Sequence, residues 1–189
     1  MNCEIIISEH YKSVRAEEMD RIKQRDRYFS TYILAVAGIG GLYLKDENLY
    51  WILNGVSILS CYAGLMYSNS DISLGALSSW LWKENTKVLC EYKDRYGVGF
   101  YIAHWDGSSD QQKFCRSAAF GSRYYARAFL LLTTGALCPI LSIYLMPKTV
   151  APQWPYYEVV SYLLVLPPIV GALSIIRARR IRIHQMTTN

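Results

Sequence analysis

The chain has 189 residues, 52% of them hydrophobic, with 20 Lys and Arg against 15 Asp and Glu. Its mean hydropathy is near zero, but the apolar residues are gathered into blocks, which excludes an ordinary soluble domain. The five cysteines and three histidines form no Cys-x-x-Cys or Cys/His cluster that suggests zinc, and no cysteine falls in either short segment joining the apolar stretches in pairs, so no disulfide framework is expected.

Residues 1–27 read as a cytoplasmic amphipathic helix. Glu9–Arg27 holds no Gly or Pro and is rich in good helix formers. Tyr11, Val14, Glu18 and Ile22 recur at helical spacing. They form a mildly apolar stripe that is the candidate partner-binding face. Its occupant is the central segment of the chain, a second copy or a regulatory protein; a helix lying on lipid headgroups is the plainer alternative. No cleavable signal peptide is expected, because this segment is too polar and no Ala-x-Ala exit follows it.

Residues 28–67 read as a first transmembrane hairpin. Tyr28–Leu44 and Leu49–Tyr67 contain no Asp, Glu, Lys, Arg or His, and a bilayer core about 30 Å thick needs roughly 20 such residues of helix. Lys45-Asp46-Glu47-Asn48 is the turn between them. Ala37 and Gly41, with Gly55 and Gly64 in the second stretch, are candidate helix-packing positions, because small residues let backbones approach in lipid. Asn54 is the most polar side chain in these stretches. It suits an interhelical hydrogen bond or, more sharply, a pore lining.

Residues 68–127 read as a cytoplasmic helical segment. Ser70-Asp71 is a plausible helix cap. Leu74, Leu77, Trp80, Leu81, Val88 and Tyr92 form a loose helical stripe, and Trp80 and Trp82 suit the membrane interface, which places this element on the inner leaflet. Gly97, Gly99 and Asp106-Gly107 break the pattern, and helix resumes near Gln111. Residues 128–176 read as a second hairpin, with apolar stretches Ala128–Met146 and Val159–Ile176. Pro139 should kink the third stretch, and Pro167-Pro168 should break the fourth. Pro147–Tyr157 is a stiff external connection. Residues 177–189 are a basic cytoplasmic tail.

Eighteen of the Lys and Arg residues precede the first stretch, lie between the second and third, or follow the fourth. Only Lys45 and Lys148 occupy the two turns. By the positive-inside rule, both termini and the central segment are cytoplasmic. The expected fold is therefore all-α, an integral membrane protein with four transmembrane helices as two hairpins in a bacterial inner membrane. Orientation already explains the basic residues, so they do not indicate nucleic-acid binding.

No residue set carries catalysis. His10, His104 and His184 lie in different segments and no base or nucleophile is positioned. No cofactor or metal is expected, and the chain reads as a non-enzyme.

The run Tyr11–Phe29, followed by a Gly-rich stretch, resembles a group of small bacterial membrane proteins with a Tyr-Lys-x-x-Arg-x-Glu opening. Tyr11, Lys12, Arg15 and Glu17 match it. Asn69-Ser70-Asp71-Ile72 and Ala103-His104-Trp105-Asp106 resemble two later features of that group, with His104 standing for Gly and Asp106 for Glu. The likeness spans residues 9–106, by order of motifs more than by identity. Some members resemble the membrane effectors of anti-phage systems, including retron-associated transmembrane effectors and SLATT-type proteins. The resemblance implies disruption of the inner membrane when a cytoplasmic sensor is triggered. It implies as partners the lipid bilayer, further copies of the chain as a homo-oligomer, and a regulatory protein or a ribonucleoprotein such as a reverse transcriptase complex. A non-toxic adaptor that recruits a cytoplasmic partner explains the same layout.

Overall fold

A computed structural model describes residues 3–96, 118–146 and 156–187 of the chain. Every element in it is helical. α1 is Cys3–Lys45, followed by a short 3-10 helix, Glu47–Leu53. α2 is Asn54–Tyr96, α3 is Ala118–Leu145, α4 is Tyr157–Leu163 and α5 is Leu166–Thr187. The expected breaks at Gly97, Gly99 and Asp106-Gly107, and residues 147–155 of the proline-rich connection, lie outside the described residues.

α1 runs without interruption from its charged N-terminal half into the Gly-rich stretch. Forty-three residues at 1.5 Å each give about 64 Å, roughly twice the thickness of a bilayer core. The helix ends at Lys45, and Asp46 opens the next element by accepting from the Asn48 N–H at 3.0 Å. The expected turn therefore falls where the charged residues put it.

α2 also has 43 residues and runs straight through Ser70 and Asp71. The expected helix cap there is corrected: Asp71 lies inside a continuous helix and is fully buried. The inner-leaflet stripe is corrected in part as well. Leu74 and Ser78 are buried in the fold, and Gly75 lies against Arg182 and Gln185 of α5. That portion of α2 packs on a neighbouring helix.

α2 is the centre of the bundle and packs against α1, α3 and α5, while α5 also packs against α3. The core is built from Tyr32, Ala63, Tyr67, Tyr124, Ala128, Leu131, Ala172 and Ile175. Many large apolar side chains stay outside it, among them Leu34, Leu44, Phe129, Leu137, Tyr162 and Leu173. Exposure on this scale marks an interaction with another apolar phase or molecule. Three helical spans are long and apolar enough to cross a membrane: Asn48–Trp80, Gly121–Leu145 and Tyr157–Gln185. The Tyr28–Leu44 stretch lies in α1 and is not one of these three.

The two proline features differ. α3 continues through Pro139, which is buried. The last span is broken at Leu164 and Val165, immediately before Pro167-Pro168, and α5 restarts at Leu166. Proline suits the first turn of a helix because its missing N–H has no partner there. Pro168 cannot donate to the Leu164 carbonyl four residues earlier, and the Ser57 hydroxyl of α2 donates to that carbonyl instead. The break is thus closed by a neighbouring helix.

Candidate functional site

The bundle has two polar layers at opposite ends of its apolar core. One is built of charge and the other is neutral.

The charged layer centres on Asp71. Its Oδ1 accepts from Arg25 Nη1 at 2.9 Å and from Arg182 Nη1 at 2.6 Å. Its Oδ2 accepts from the Tyr124 hydroxyl at 2.6 Å. Asp71 is 0% exposed, and the Arg25 and Arg182 side chains are 15% and 13% exposed. Around this hub, Arg127 donates to the Tyr67 hydroxyl and, at 3.3 Å, to Asp26. Arg25 Nε also donates to Asp26, at 3.3 Å.

Aromatic rings complete the layer. The Arg127 guanidinium lies 4.8 Å from the Tyr67 ring centroid and 5.3 Å from that of Phe29. Arg25 lies 5.6 Å from the Tyr67 ring, and the Tyr67 and Tyr124 rings meet edge to face at 6.3 Å. Cations over ring faces gain when water is excluded. Burial alone would lower the Arg25 pKa, but Tyr67, Asp71 and Asp26 outweigh it and raise the value above the ordinary guanidinium range.

Each long helix contributes: α1 through Arg25 and Asp26, α2 through Tyr67 and Asp71, α3 through Tyr124 and Arg127, α5 through Arg182. A buried carboxylate is tolerated only when paired and hydrogen-bonded, and here both of its oxygens are engaged. An arrangement of this kind fixes helices relative to one another. Among the described residues, no group of His, Cys, Asp and Glu is suited to hold a metal ion.

The neutral layer centres on Asn54. Its amide nitrogen donates to the Tyr157 hydroxyl at 3.1 Å and to Ser161 at 3.2 Å, and its oxygen accepts from Ser142 at 3.0 Å. Tyr50 packs edge-on against Tyr157 at 5.7 Å. This layer joins α2, α3 and α4, without α1.

Between the layers the helices touch through small residues. A Cβ on Gly64 would lie 2.6 Å from the Gly171 backbone, and one on Gly135 would lie 2.3 Å from Ser60 Oγ. Ser68 and Ser174 hydroxyls meet at 2.9 Å, and the Tyr32 and Thr134 hydroxyls hydrogen-bond from α1 to α3.

The residues singled out from the sequence are scattered over this frame. Asn54 and Gly64 sit at contacts between helices. Gly41 and Gly55 have nothing within 4 Å of an added Cβ, and Ala37 is exposed. Glu18 is buried and ion-paired with Arg15, one turn away on the same helix. Ile22 is half-buried, and the side chains of Tyr11 and Val14 lie outside the described residues. Sequence reasoning missed the Asp71 cluster altogether. The signal available was depth: Asp71 ends one apolar stretch at the level where Arg25, Arg127 and Arg182 flank the others.

Comparison with protein-family models, curated proteins and solved structures finds no match to this chain. The class that fold and site define is an all-helical bundle with three spans able to cross a membrane, clamped at one end by a buried ionic cluster.

Proposed function

We propose that this chain is a four-span inner-membrane effector that permeabilises the bilayer when a cytoplasmic partner releases or assembles it. In this reading α1 supplies the fourth span through Tyr28–Leu44, and the basic end of the bundle is cytoplasmic. The distribution of Lys and Arg supports that orientation. Exposed Leu34, Leu42 and Leu44 support a lipid-facing α1.

One observation carries the reading. The Asp71 cluster joins α1, α2, α3 and α5, and two of these helices extend from it as unbroken rods. A partner that shifts the N-terminal half of α1 pulls on Arg25 and Asp26 directly, because no loop lies between to absorb the motion. Withdrawing Arg25 leaves a buried carboxylate with one cation fewer, which favours a different arrangement of the helices around it.

The test is induced expression in a bacterial host with a potential-sensitive dye and viable counts. Wild-type chain, or Asp71→Asn, should collapse the membrane potential. Normal growth and potential with both would sink the effector reading. The second reading is a non-toxic membrane adaptor, favoured by the complete engagement of the Asp71 and Asn54 side chains in hydrogen bonds and ion pairs. A stably captured cytoplasmic partner with no growth defect selects it. Reporter fusions after residues 96 and 150 test the topology: the first should report cytoplasm and the second the external side.

A further inference from the structure

We propose that the seam between α3 and α5 binds the phosphate of an anionic phospholipid, with Arg179 as its principal ligand. The inference rests on the chain being a membrane protein with its basic end at the bilayer surface, and adds a lipid site to that reading.

The basic residues of this end fall into two groups. Arg25, Arg127 and Arg182 turn inward to Asp71 and Asp26. Arg179 does not. It lies across α3 at Gly121, where an added Cβ would sit 2.8 Å from its Nη2. Its guanidinium is 5.4 Å from the Tyr125 ring centroid, and Nη1 donates to the Tyr125 hydroxyl at 3.3 Å. Its Nε is buried without a hydrogen-bond partner. Among the described residues Arg179 has no carboxylate partner.

The composition of the two helices points the same way. Neither α3 nor α5 contains a single Asp or Glu. Arg123 on α3, and Arg177 and Arg180 on α5, are exposed beside Arg179 in sequence or on the facing helix. A guanidinium held by a ring face and a hydroxyl, with donors left over, matches a phosphodiester better than any group the two helices supply. Apolar surface continues from it. Phe129, one turn beyond Tyr125, is 68% exposed. A headgroup phosphate at Arg179 thus leaves its acyl chains along Phe129. Free phosphate shares the headgroup chemistry but makes no use of that apolar continuation.

The experiment offers detergent-released full-length protein equal amounts of dioleoyl phosphatidylglycerol and dioleoyl phosphatidylcholine, and reads bound lipid by native mass spectrometry. Phosphatidylglycerol should be retained preferentially. Arg179→Gln should lower the preference roughly fivefold, the change expected from one basic contact near an anionic surface. Arg179→Lys, which keeps charge but loses the fork, should fall between. Tyr125→Leu removes the stacking partner at an exposed position and should also weaken retention, which covers the case in which Arg179→Gln fails to fold. Equal retention of the two lipids, or an unchanged preference in both Arg179→Gln and Tyr125→Leu, overturns the proposal. Loss of the preference in excess inorganic phosphate assigns the site to free phosphate and overturns the lipid. A chain that never enters the membrane fraction counts instead against the membrane reading beneath it.

Discussion

The two polar layers of this bundle do the same mechanical task with different chemistry. At the turn end, Asn54 joins α2, α3 and α4 through neutral hydrogen bonds. At the basic end, Asp71 joins α1, α2, α3 and α5 through ion pairs and a tyrosine hydroxyl. Hydrogen bonds between membrane helices contribute little each, about 0.6 kcal/mol on average. Removing one partner of a buried ion pair costs about 3–5 kcal/mol, because the other charge is left uncompensated. The turn end therefore tolerates loss gradually, while the basic end holds firmly and gives way abruptly. Only the basic layer includes α1, whose charged N-terminal half continues from it without a break.

The largest effect should come from Asp71. Asp71→Ala leaves Arg25 and Arg182 facing each other in a buried site and should destabilise the bundle by about 3 kcal/mol or more. Thermal unfolding in mild detergent measures this. Replacing Asp71, Arg25 and Arg182 together by apolar residues should recover much of the loss, since no unpaired charge then remains. A triple variant as unstable as the single one would mean that the cluster contributes attraction and not merely compensation.

Gly64→Leu should come next. The added side chain meets the Gly171 backbone at 2.6 Å, and two helix backbones must separate to admit it. Overpacking of this kind costs roughly 1–3 kcal/mol. It acts between the two layers, so it should weaken both ends. Crosslinking of cysteines placed at either end distinguishes this from Asp71→Ala, which should loosen the basic end first.

How much of this was legible beforehand depended on whether a residue's role was local. The turn at Lys45–Asn48, the break before Pro167-Pro168 and the apolar spans follow from residues that act on their own neighbourhood. Proline removes its own N–H, and a charged run leaves the apolar phase wherever it stands. Asp71 is the opposite case. Its partners lie 46, 53 and 111 residues away, and nothing near it in sequence betrays them. Beside Ser70 it looked like a cap, because Asp at the edge of a polar run usually is one. α2 continues instead because Arg25, Arg182 and Tyr124 satisfy its carboxylate from other helices. The first stretch was harder for a related reason: its Gly and Tyr content lowers its hydropathy, and it is not among the three spans long and apolar enough to cross a membrane.

Asn54→Leu should have a smaller effect. It removes a donor shared between Tyr157 and Ser161 and the acceptor of Ser142. Each lost bond is worth about 0.6 kcal/mol, so a total of about 1–2 kcal/mol is expected. Stability in detergent should fall by that amount with the Asp71 layer unaffected. A drop as large as that of Asp71→Ala would erase the distinction between the layers.

The smallest effect should be at Gly41. Nothing lies within 4 Å of an added Cβ there, nor at Gly38 or Gly40, so Gly41→Leu has no steric reason to disturb this chain's own fold. Exchanging Gly for Leu also favours helix by roughly 0.5–1 kcal/mol. Thermal unfolding at high dilution in detergent should therefore show an unchanged or slightly raised midpoint. Gly64→Leu is its counterpart, the same substitution made where a helix is already in place. If effector assembly brings α1 helices together, Gly41→Leu separates the two measurements. It should leave the monomer's melting intact while reducing chain-to-chain crosslinking in membranes and the collapse of membrane potential on induction. A variant that melts normally and still depolarises the host would remove the Ala37 and Gly41 face from assembly, leaving the release of α1 from the Asp71 cluster as the route to activity.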